Sequence, residues 1–203
     1  MGSGPDLAFV FLLRSGHSAD AAIAAVRAAV ERYRGFHLEK SVLPSDGLVR
    51  FLRDAFDFYL QTASDFEIFS LEPEWVDRIM VLTTDSDNMD VDGEPDPEFW
   101  KAWQDAIGLI VAAVNPSCGT SSDSDTVHEL TGSDLVALFP EGEYFSFDYL
   151  RSLQGGAEEY VKACATRELL HGYLVVIYLR DASENIEFRT RMRRFAGMPP
   201  PPP

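Results

Sequence analysis

Residues 7–14 read Leu7-Ala8-Phe9-Val10-Phe11-Leu12-Leu13-Arg14, an unbroken apolar run closed by one charge. A strand with one face in water alternates apolar and polar residues, so a continuous run is what a strand covered on both faces requires. The run is too short to span a bilayer, and with Asp6 before it and no basic lead it does not match a secretory signal. A turn at Ser15-Gly16-His17 follows. Ser18 is placed to cap a helix in which Ala21, Ala22, Ala25, Val26, Ala29, Val30 and Tyr33 recur at helical spacing until Gly35. A covered strand followed at once by an alanine-faced helix implies helices packed on a sheet.

Outward from this unit the pattern alternates. Phe36 to Leu43 reads as extended. Pro44 and Ser45 open an expected second helix through Ala63, with Leu48, Leu52, Ala55, Phe56, Tyr59 and Ala63 on one stripe. Phe66 to Leu71 and Trp75 to Thr84 read as strands joined by Glu72-Pro73-Glu74. Asp96 before Pro97 is an N-cap with proline at the first helical position, and Trp100, Trp103, Ile107, Ile110, Val111 and Val114 predict the stripe of a helix ended by Asn115-Pro116.

Ser117 to Asp125 is polar and turn-rich and predicts an exposed loop, and Thr126 to Leu130, Leu135 to Phe139 and Tyr144 to Phe147 read as short extended pieces. Asp148 to Leu153 reads as a helical turn ended by Gly155-Gly156. Ala157 to Leu170 reads as a helix, Tyr173 to Arg180 as a buried strand, and Ser183 to Phe195 as a helix with Ile186, Met192 and Phe195 on one side. The sum is an α+β two-layer domain over residues 1–198, a mixed sheet against four or five helices, with a tail of five prolines at 199–203.

Charge is the strongest pointer to function. Seven carboxylates lie between Asp85 and Glu98 with no Lys or Arg among them, and from Asp54 to Leu150 the formal net charge is −20 against −16 for the whole chain. Such a surface repels nucleic acid and anionic lipid, and it attracts a basic protein surface. Asp85, Asp87, Asp90, Asp92, Glu94 and Asp96 are the first candidate contacts, Asp123, Asp125 and Glu129 the second, and Tyr144 and Tyr149 are candidate aromatic anchors.

Other chemistries find little local support. An EF-hand register from Asn88 places Asp90, Asp92 and Gly93 correctly but puts Phe99 where a bidentate Glu belongs and Pro95 within the loop. His17, His37, His128 and His171 lack zinc spacing, and no nucleophile elbow, P-loop or dinucleotide fingerprint occurs. No cofactor or metal is expected. Cys118 and Cys164 have no metal or redox spacing, which suits a reducing, cytoplasmic setting. A hydrolase assembled from distant residues and a calcium-dependent or scaffold module remain the competing readings.

The order strand, alanine-rich helix, strand pair, acidic loop, tryptophan-bearing helix, then PEGEYFSFDYL at 140–150 and LLHGYLVVIYL at 169–179, resembles cytoplasmic immunity proteins of bacterial polymorphic and type VI toxin systems. The resemblance implies a protein that binds and blocks one cognate toxin, often a nuclease with a cationic active site. The charge argument leads independently to a compatible partner.

Overall fold

The computed structural model describes residues 7–32, 36–38, 56–61, 66–73, 78–84, 97–123, 132–164, 166–168, 172–176 and 182–200. In chain order these contain β1 (Leu7–Leu12), α1 (Ala19–Val30), β2 (Phe36–Leu38), β3 (Phe56–Gln61), β4 (Phe66–Pro73) and β5 (Ile79–Thr84). Then come α2 (Pro97–Val114), β6 (Cys118–Asp123), α3 (Gly132–Leu138) with a 3-10 turn (Phe139–Glu141), and β7 (Tyr144–Ser146). The last are α4 (Phe147–Ser152), α5 (Ala157–Ala163), β8 (Thr166–Glu168), β9 (Tyr173–Val176) and α6 (Ala182–Phe195).

The strands form one sheet in the order β2-β3-β4-β5-β1-β6-β7-β9-β8. The class is α+β with helices layered on a sheet, as expected. The sheet is antiparallel at each described pairing rather than mixed.

β1 lies in the middle and is covered on both faces, as its apolar run requires. Phe9 and Phe11 point into a core shared with Ala22, Val26 and Val30 of α1 and Trp103, Ile107, Ile110 and Val114 of α2. Ala8 and Val10 point the other way, into a core with Phe139, Leu150, Val161, Phe188 and Met192. Helices therefore lie on both faces of the sheet. Each fully buried side chain of this kind contributes about 1.5–3 kcal/mol, which makes β1 the strand most strongly committed to the interior. α1 starts at the Ser18 cap, whose side chain accepts from the Ala21 N–H.

Several expectations are corrected. The described part of the helix expected over 45–63 is strand β3; the rest, 45–55, lies outside the described residues. Phe56, Phe58 and Leu60 alternate with Asp57, Tyr59 and Gln61, and Phe58 stacks on Phe69 of the paired β4 at 5.4 Å, so cross-strand packing selects the period of two. The loop expected over 117–125 is mostly β6, held in register by β1. Leu135 to Phe139 is helical, with Leu135 and Phe139 one turn apart and buried in the same core. The helix expected to reach Leu170 ends at Ala163, and 166–168 pair with β9 instead.

Two faces are rotated from expectation. In α2 the buried stripe begins at Phe99, while Trp100 is 42% exposed. In α6, Phe188 and Met192 face the core while Ile186 is 61% exposed. The Asp96 cap, residues 126–130 and residues 177–180 lie outside the described residues.

Candidate partner-binding surface

Leu7, the first residue of β1, is paired with Thr84 on one side and Asp123 on the other. The C-terminal ends of β5 and β6 therefore flank the N-terminal end of β1. With neighbouring strands about 4.8 Å apart, the two ends lie about 10 Å from each other. β5 leads directly into the segment carrying Asp85, Asp87, Asp90, Asp92, Glu94 and Asp96, and β6 ends in Asp123 and leads into Asp125 and Glu129. Of those residues only the backbone of Asp123 is described; the others lie outside the described residues. The points from which both acidic segments depart are adjacent.

α2 returns to the same edge. Asn115, just past its end, accepts through its backbone carbonyl from Arg14 Nε at 2.9 Å, so the helix finishes beyond the opposite end of β1. Eighteen helical residues rise about 27 Å, more than the roughly 20 Å length of a six-residue strand. Its N-terminal turn must then lie at the Leu7 end. Consistent with this, Trp103 stacks on Phe69 at 6.3 Å, and Phe69 is the strand partner of Thr84. Pro97, Glu98 and Trp100 are exposed there, and Glu98 complements the positive end of the helix dipole.

The basic residues between Asp54 and Leu150 are Arg78 and Lys101. Arg78 precedes Ile79, the partner of Leu12, and so sits at the far end of β1. Lys101 is drawn toward Asp105, one turn on, at 3.8 Å. Stronger ion pairs lie among the helices of the other face: Arg193 with Glu141 at 2.6 Å and Arg151 with Glu158 at 2.7 Å.

The two expected aromatic anchors are packed against the interior. Tyr144 meets Phe9 edge-on at 5.1 Å, and burial, aided by Glu143, pushes its hydroxyl up to about 12. Tyr149 belongs to the other face, stacked on Phe145 at 6.0 Å. Burial raises its hydroxyl too, as it does the thiol of neighbouring Cys118. Both residues are partly buried. No family model matches the chain, and no curated protein matches it.

Glu143 went unnoticed in the sequence. Its N–H donates to the Gly119 carbonyl and its own carbonyl accepts from Val176, which fixes it between β6 and β9. Burial pushes its carboxyl up to about 7, against a hydrogen bond with Ser121 and the field of Arg189. Among the described residues no group of three or more His, Cys, Asp or Glu has an arrangement that would hold a metal. No described helix is long and apolar enough to cross a membrane.

Proposed function

We propose that the chain is a binding protein that neutralises a basic protein partner, in the manner of a cytoplasmic immunity protein that blocks its cognate toxin. The observation that carries this reading is the double pairing of Leu7 with Thr84 and Asp123, which brings the departure points of two acidic segments to one edge of the sheet. Carboxylates spaced along such an edge offer a basic cleft the negative charge that a phosphate backbone would offer, raise the association rate, and deny the cleft to substrate. Asp85, Asp87, Asp90, Asp92, Glu94 and Asp96 make the main contact in this account, with Asp123, Asp125 and Glu129 beside them. Cys118 and Cys164 are both free thiols, which suits a reducing compartment.

The test is protection. A partner co-purified from the native host and expressed alone in a neutral host should arrest growth. Co-expression of the wild-type chain should restore growth, and co-expression of the Asp87→Lys/Asp90→Lys/Asp92→Lys variant should not. Equal protection by both would remove the acidic edge from the account.

A further inference from the structure

We draw no further inference here: the strongest candidate, the groove between α1 and α2 lined by Ala25, Ala28, Ala29, Arg32, Ala112 and Ala113, is a stripe of small residues, and nothing in the structure shows what covers it.

Discussion

The ring of Phe9 occupies the space that a side chain at position 119 would need: a Cβ built on Gly119 would stand 2.4 Å from Phe9 Cζ. The clash falls on the tip of the Phe9 ring, which is fully buried and packed against Phe11 and Tyr144, so the ring can give way only by displacing its core neighbours. Gly119→Ala should therefore destabilise the protein by about 1–3 kcal/mol, the usual scale of overpacking. Phe9→Leu in the same chain should recover part of that loss. Urea unfolding of the two single variants and the double variant gives the coupling directly.

The same helix should give different answers at its two tryptophans. Trp103→Ala empties a buried site and should cost about 3–5 kcal/mol. Trp100→Ala removes a ring that is 42% exposed and should cost clearly less, about 1–2 kcal/mol. Comparable losses at both positions in denaturant titrations would contradict the seating of α2.

Tyr173 ties together three parts of the fold. Its hydroxyl lies 2.7 Å from Asn115 Oδ1 and 2.6 Å from the Pro116 carbonyl, and Arg14 reaches the same Asn115 Oδ1 at 3.1 Å while pairing with Asp148 at 2.6 Å. Tyr173→Phe leaves the buried Pro116 carbonyl without that donor and should cost about 1–3 kcal/mol. The loss should appear in thermal unfolding with little change in far-ultraviolet dichroism.

Glu143 should make stability fall as pH rises. Its folded carboxyl titrates at about 7 against an ordinary 4.5, so between those values the folded state binds the proton that the unfolded chain has released. Below about pH 4.5 the group costs nothing; above about pH 7 its full penalty applies, at most about 3 kcal/mol. Glu143→Gln should flatten the profile between those limits. A slope in that window that persists in the variant would assign it to another group.

What the sequence disclosed depended on whether a residue's own pattern or its neighbour decides the structure. β1 was legible because an apolar run on both faces has few alternatives, and α2 because Asp96-Pro97 and the recurrence from Trp103 to Val114 agree. β6 was not: Cys-Gly-Thr-Ser-Ser-Asp is loop-like in composition, and it becomes a central strand because β1 pairs along it and Phe9 fills the space over Gly119. In β3, Phe56 and Tyr59 fit a helical stripe as well as a pleat, and only pairing with β4 decides. The acidity of 85–98 is plain in the sequence, but that Thr84, from which the segment departs, lies one strand away from Asp123 follows from the register of two strands on Leu7, which no local pattern encodes. The facing of Trp100 and of the Tyr144 and Tyr149 rings turned on offsets of a single residue.

The most direct test of the acidic edge is the association rate of the co-purified partner with wild type and with Asp87→Lys/Asp90→Lys/Asp92→Lys, at low and at high salt. The wild-type rate should be fast at low salt and fall steeply as salt screens the charges, and the variant should associate slowly at both, with its stability nearly unchanged. A variant that associates as fast and binds as tightly as wild type at both salt concentrations would contradict the account.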